Sequence, residues 1–243
     1  MTTVGIICEY DPFHRGHAHQ FAEIRRAFPD ASIVCLMSGC FTQRGLPSLF
    51  SPADRAAAAL ENGADLVLEL PAAFALRDAE HFALGGISIL ERLGFVTHLS
   101  FGVEDELSVL YPAAALLEAP DEAFQNRLRS FLGMGLSYAA ARGKALGERF
   151  PEAEDAFQRP NNILALCYLR ALRRVRSSML PLPVRREGNY HADALSPHAF
   201  PSARAVRASI LSGCQADAET ACGYALPHSP ICPPDALDQA LLF

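Results

Sequence analysis

A parallel, doubly wound α/β sheet with added helices is the fold this sequence predicts. Short runs that are apolar on both faces, at residues 4–8, 32–37, 66–70 and 98–101, have the pattern of buried strands. Helical segments separate them, at 17–28, about 51–62 and roughly 79–93. A β-α-β-α-β-α-β run of this kind makes neighbouring strands parallel, because each return passes through a helix on the sheet's face.

The first run, residues 4–8, ends at Glu9, and a loop containing Pro12 and Gly16 leads into the first helix. Phe21 and Ile24 share one face of that helix. The second strand gives way to a Gly-containing loop over 38–47. Ser51-Pro52-Ala53-Asp54 is a helix start, with Ser as cap, Pro in the first turn and an acid three residues on. Gly63 ends that helix, Pro71 stops the third strand and Gly94 closes the next helix. Residues 107–176 are mainly helical, broken at Gly133-Met134-Gly135 and Pro151. A late strand is expected at 182–186 and a final short helix at 202–211. Beyond Gly213 the chain is rich in Cys, Pro and Ala, with weak periodicity. The expected organisation is a nucleotide-binding domain over 1–212, carrying a helical insertion at about 107–176. A short tail over 213–243 follows, the remnant of a C-terminal region.

Composition excludes several classes. Of 243 residues, 50% are hydrophobic and 20% charged, the balance of an ordinary globular protein. A net charge of −6 argues against a generally basic nucleic-acid-coating protein, although Arg170, Arg173, Arg174 and Arg176 form a local basic run that is either an RNA-facing surface or a solvated helix face. The seven cysteines include no C-x-x-C pair, and Cys214, Cys222 and Cys232 are spaced too loosely for a zinc site. Buried reduced thiols are expected, Cys8 and Cys35 among them. No signal-peptide pattern and no membrane-length apolar run occurs, so a soluble, cytoplasmic protein is expected.

The strongest chemical signal is His14-Arg15-Gly16-His17, between the first strand and the first helix. A helix N-terminus offers unpaired N–H groups and a positive dipole end to phosphate. Gly16 lets the backbone approach a ligand, and two imidazoles three residues apart can donate to phosphate oxygens as charge builds at the α-phosphate. His14 and His17 are therefore the catalytic candidates. Glu9 and Asp11 are candidates for a ribose hydroxyl or Mg²⁺, with loop capping equally open for Asp11. Tyr10 and Phe13 either pack the loop or stack near a base. A second signal is Ser202-Ala203-Arg204-Ala205-Val206-Arg207, a capped helix start with an Arg able to clamp outer phosphates. Arg44, on the loop after the second strand, is either a third phosphate candidate or a salt-bridged loop residue. Glu69 and Glu104 are assigned to loop capping or structure.

Taken in order, these blocks resemble the tRNA(Met) cytidine acetate ligase family within the HIGH-type nucleotidyltransferases. The resemblance lies in residues 4–17, Met37-Ser38-Gly39-Cys40-Phe41-Thr42-Gln43-Arg44-Gly45, Gly63-Ala64-Asp65-Leu66-Val67-Leu68-Glu69-Leu70-Pro71 and Phe101-Gly102-Val103-Glu104. It continues through Pro160-Asn161-Asn162-Ile163-Leu164, Arg186 with Tyr190-His191, and residues 202–207, covering about 4–210. Asp11 stands where the family usually has Asn, and the family is usually longer at its C-terminal end.

The resemblance implies a Rossmann-like sheet and an enzyme that joins ATP and acetate into acetyl-adenylate. The acetyl group then passes to N4 of the wobble cytidine of elongator tRNA(Met). It implies an ATP site of Gly5, Ile6, Ile7, Cys8, Glu9, Tyr10, Asp11, Pro12, Phe13, His14, Arg15, Gly16 and His17, with Gly102, Asn161 and Arg186. Ser202, Arg207 and Arg44 stand beside it as the phosphate-binding candidates read from the residues themselves, and Mg²⁺ is expected with ATP without a dedicated protein metal site. Adenylation of another small acceptor, or ATP binding without the RNA step, are the alternatives the sequence leaves open.

Overall fold

The computed structural model describes residues 1–186, 200–227, 229–233 and 235–236; Tyr190 and His191 lie outside the described residues. Five strands, β1 (Thr3–Cys8), β2 (Ser32–Ser38), β3 (Leu66–Leu70), β4 (His98–Val103) and β5 (Leu180–Arg185), form one sheet. Their order is β3-β2-β1-β4-β5, and every neighbouring pair is parallel. The order reverses between β1 and β4, which is where ligands of such sheets bind, beyond the strands' C-terminal ends.

Helix α1 (Arg15–Ala27) follows β1, α2 (Pro52–Glu61) follows β2, and α3 (Ala72–Ala75) with α4 (Ala79–Arg92) follows β3. Between β4 and β5 run α5 (Leu107–Glu118), α6 (Glu122–Gly133), α7 (Tyr138–Arg149), a 3-10 segment at Pro151–Gln158, and α8 (Pro160–Arg174). Helices α9 (Ala203–Leu211) and α10 (Gln215–Cys222) come last. The alternation of strand side chains divides the core. Val4, Ile6, Cys8, Ile33, Cys35 and Met37 pack with Phe21, Ile24, Ala58 and Ala59 of α1 and α2. Ile7, Val34, Leu36, Leu99 and Phe101 pack on the opposite face with α4, α5 and α8.

The expected order of elements is present, and the differences have local causes. Helix α1 begins at Arg15 rather than His17, because His14 itself is its N-cap. Strand β4 runs on to Val103, so Gly102 lies inside the strand and not in the loop after it. Strand β3 is not buried as expected. It is the sheet's edge, and Leu66 is 38% exposed. Strand β5 is the other edge and starts at Leu180. The N–H groups of Leu180 and Arg186 face β4, bonding Thr97 O and Val103 O. The alternate positions, which point outward, hold Pro181 and Pro183, residues an edge tolerates because they have no N–H to leave unpaired. Helix α10 forms where weak periodicity predicts none, because Ala218, Ala221 and Cys222 bury against Leu49, Phe50, Val206 and Ile210.

Half of the basic run at the end of α8 is tied into ion pairs. Arg170 is 5% exposed and pairs with Glu80 at 3.0 Å and Glu118 at 2.6 Å. Arg174 reaches the same two carboxylates at 2.6 and 3.0 Å. These two guanidiniums fasten α8 to α4 and α5, and only Arg173 and Arg176 of the run remain as exposed charges outside that network. No helix among the described residues is long and apolar enough to cross a membrane.

One buried cation holds the sheet's ligand edge in shape. Arg55 of α2 is 1% exposed and donates to the carbonyls of Glu9, Ser38 and Gly39, which end β1 and β2. Truncation would leave three carbonyls undersatisfied and open a cavity. Arg55→Ala is expected to lower the free energy of unfolding by about 3 kcal/mol, read from urea denaturation; a loss below about 1 kcal/mol would contradict this role.

Candidate functional site

The β1–β4 ladder is paired only at Val4↔His98 and Gly5↔Leu99, whereas β1 and β2 pair at six positions from Thr3↔Ser32 to Cys8↔Met37. Beyond Gly5 the two central strands no longer share a ladder, and the head of α1 stands at that opening. Gly5, Ile6, Ile7 and Cys8 lie in β1, with their side chains, where they have them, in the two cores.

The loop from β1 to α1 is fixed from within. Tyr10 takes a left-handed φ of 49°, which turns the chain back on itself. Tyr10 and Phe13 are 2% and 1% exposed and pack on His17 and Phe21, so both serve the loop rather than a base. Asp11, 3% exposed, accepts from the Leu49 N–H at 2.7 Å, while its carbonyl accepts from Arg207 at 2.7 Å. Glu9 accepts from the Gln43 N–H. Burial pushes both carboxyls up from their ordinary values, opposed by those N–H groups and by Arg207. Each carboxyl is a loop clamp in this arrangement.

His14 and His17 cap α1 reciprocally. The Gly16 N–H donates to His14 Nδ1 at 3.1 Å, and the His14 N–H donates to His17 Nδ1 at 3.2 Å. A backbone N–H can only donate, so both Nδ1 atoms are unprotonated and each neutral ring carries its proton on Nε2. The rings stack with centroids 3.8 Å apart and planes 22° from parallel. Gly16 is required here, since a Cβ would stand 2.9 Å from His14 Cε1. Burial, then the charges of Arg186 and Arg207, pull the His14 pKa down from 6.5 to about 3. Burial, His14 and Arg186 hold His17 well below its ordinary value. At neutral pH the helix head therefore presents two uncharged Nε2–H donors, side by side, with the positive charge supplied by neighbouring arginines.

Arg186, at the end of β5, donates to Asn161 Oδ1, and Asn161 Nδ2 donates to Glu104 Oε1 at 2.8 Å. Both ends of the Asn161 amide are thus engaged, and the cap position of α8 is Arg159. The Arg186 side chain lies over Gly102, where a Cβ would meet its Cδ at 2.7 Å. Ser202 caps α9 by accepting from the Ala205 N–H at 3.0 Å. Arg207 of that helix reaches the β1–α1 loop through Asp11.

Two candidates lie apart from the imidazole pair. Arg15 turns away, donating to Ala221 O of α10 at 2.9 Å, so only its backbone belongs to the helix head. Arg44 is exposed, with its charge felt at Glu9. Sequence reasoning missed Asn162, fully buried, which accepts from the N–H groups of Glu104 and Asp105 and shapes the loop after β4. The Asn161-Asn162 doublet was its only trace. No group of three His, Cys, Asp or Glu converges among the described residues.

Residues 1–232 match the HIGH Nucleotidyl Transferase family. Similar relatives are named tRNA(Met) cytidine acetate ligase. That of Syntrophotalea carbinolica is 42% identical over 88% of this chain and 52% of its own length; that of Syntrophomonas wolfei is 37% identical over 100% and 62%. The chain thus spans roughly half to three-fifths of the relatives' length. Among solved structures, Thermotoga maritima TmcAL bound with alpha-thio ATP superposes with a TM-score of 0.81 at 28% identity, and its apo form with 0.86 at 29%. Each superposition covers all of this chain and 56% of the Thermotoga chain.

The neutral state of His14 has a consequence for stability. Between pH 6.5 and about 3 the unfolded chain takes up a proton that the folded one refuses, so this contribution is complete above 6.5 and is lost as pH falls toward 3. His14→Asn keeps a cap acceptor without a titrating ring. Its stability relative to the parent is expected to rise on acidification, by at most about 1.4 kcal/mol per pH unit, in urea unfolding at stepped pH. Parallel pH profiles would contradict the assignment.

Proposed function

Because the chain belongs to the HIGH nucleotidyltransferase family, we propose that it binds ATP at the head of α1 and uses it to activate acetate. The acetyl group is then transferred to N4 of the wobble cytidine of elongator tRNA(Met). An acetate oxygen attacks the α-phosphorus, the bond to the bridging oxygen breaks, and pyrophosphate leaves. In the second step the cytidine N4 attacks the acetyl carbonyl carbon, AMP leaves and the nitrogen loses a proton.

The stacked imidazoles carry this proposal. Both Nδ1 atoms are engaged by backbone N–H groups, so both Nε2–H groups remain for oxygens on the α-phosphate. Neutral donors stabilise charge that grows there without binding the ground-state triphosphate too tightly. Arg186 and Arg207 supply the cationic field, and Mg²⁺ arrives on the triphosphate, held by phosphate oxygens and water. The names of the relatives support acetate and tRNA(Met) as co-substrates, and the alpha-thio ATP in the Thermotoga structure supports ATP. The setting is cytoplasmic, where tRNA and ATP meet.

Incubation with ATP, acetate and tRNA, followed by nucleoside mass spectrometry, tests the proposal by formation of N4-acetylcytidine. Hydroxylamine trapping of acetyl-adenylate isolates the first step. His14→Asn and His17→Asn each retain a cap acceptor and lose the Nε2 donor, so adenylate formation should fall by about 10² or more with little loss of ATP binding. Unchanged rates would remove the imidazoles from the chemistry. Arg207→Ala should raise the KM for ATP more than that for acetate; the reverse would count against a phosphate role. Acetate-independent pyrophosphate release with another acceptor would favour a different adenylation.

A further inference from the structure

We propose that Glu104 is the acceptor that recognises the ribose hydroxyls of the nucleotide. This rests on the ATP proposal above and adds a specificity-determining residue to that site. Glu104 follows β4 at the sheet's C-terminal edge, on the far side of the central opening from the head of α1. Its Oε1 accepts from Asn161, but its Oε2 is shielded from solvent and accepts no hydrogen bond. Only two other side-chain polar atoms among the described residues are in that condition, Ser38 Oγ and Arg55 Nε, and neither belongs to a carboxylate. A buried acceptor left without a donor costs stability, and such atoms call for a functional explanation.

The surroundings define what would satisfy it. Asn161 takes the Arg186 guanidinium on Oδ1, so its Nδ2 is committed to Glu104 and its orientation is settled by both partners. The missing partner of Oε2 must be a donor, which excludes phosphate and carboxylate groups. Arg186 ties the two halves of the site together. Its charge is felt at both His14 and His17, while its side chain crosses Gly102 and ends on the Asn161–Glu104 pair. Glu104 is therefore joined through Asn161 to the arginine whose charge acts on both imidazoles. On a nucleotide, the donors adjacent to the α-phosphate are the ribose hydroxyls; the adenine amino group is further out. A strand-end carboxylate on a ribose hydroxyl is also a recurring solution in doubly wound sheets. Access requires Arg186 to leave Gly102, a move that an incoming triphosphate favours by attracting the guanidinium. Gly102, without a Cβ, then leaves room for the sugar against the strand.

The test is nucleotide affinity by calorimetry on the whole chain, independent of turnover. ATP, 2′-deoxy-ATP, 3′-deoxy-ATP and purine riboside triphosphate, which lacks the amino group, are compared. The parent protein should bind at least one deoxy analogue about 10- to 100-fold more weakly than ATP, the worth of a hydrogen bond to a charged acceptor. In Glu104→Gln that ratio should collapse toward one, and the penalty for the missing amino group should stay as in the parent. Glu104→Asp keeps the charge but withdraws the oxygen, and should lose the same discrimination. Either variant counts only if its thermal midpoint stays near the parent's. An unchanged deoxy ratio in both folded variants overturns the inference, as does a loss confined to the amino-group analogue. A parent that binds no ATP at all overturns the proposed function as well, which separates the two failures.

Discussion

Two backbone N–H groups at the start of α1, those of His14 and Gly16, are each taken by an imidazole, and the rest of the ligand edge depends on that exchange. The bonds stop the first turn from fraying, and they fix the tautomer of both rings. Without them either ring nitrogen could carry the proton, and burial would favour no particular donor. With them, the rings that cap the helix are also the rings that keep an Nε2–H donor uncommitted to the backbone. Stability and donor geometry are in this sense one constraint, since loss of the cap acceptor releases the donor.

The surrounding structure holds this arrangement from several sides. Arg55 binds the carbonyls where β1 and β2 end, so the two loops leave the sheet in fixed directions. Asp11 ties the β1–α1 loop to Leu49 and to Arg207 of α9. Tyr224 adds a hydrogen bond to Phe13 O at 3.0 Å, and Arg15 binds α10, so the last described helices brace the first loop. On the other flank, the Arg186–Asn161–Glu104 chain joins β5, α8 and the end of β4. The opening between β1 and β4 is thus bordered by two independent polar frameworks that meet at the histidines through the field of Arg186.

Much of this was readable in the sequence wherever the signal was local. The apolar runs gave four strands, Ser51 and Ser202 announced their helices, and the position of His14-Arg15-Gly16-His17 identified the helix head. What escaped depended on partners remote in the chain. Histidine is not among the preferred N-caps, so the true start of α1 is marked only by the ring-to-backbone bonds. The burial of Arg170 is decided by Glu80 and Glu118, which sequence spacing does not bring near it. Glu104 has the look of a loop acid until Asn161 occupies one of its oxygens and leaves the other bare. Helix α10 lacks a clean amphipathic pattern because only a few small residues touch its neighbour.

Nitrogen-15 NMR of selectively labelled histidine, recorded from pH 5 to 8 with and without a non-hydrolysable ATP analogue, addresses the central claim most directly. The structure requires both His14 and His17 to be neutral Nε2–H tautomers across that range, with their Nε2 resonances moving when the triphosphate binds. An imidazolium at either position near pH 6 in the free protein, a proton found on Nδ1, or Nε2 signals indifferent to the nucleotide would contradict it.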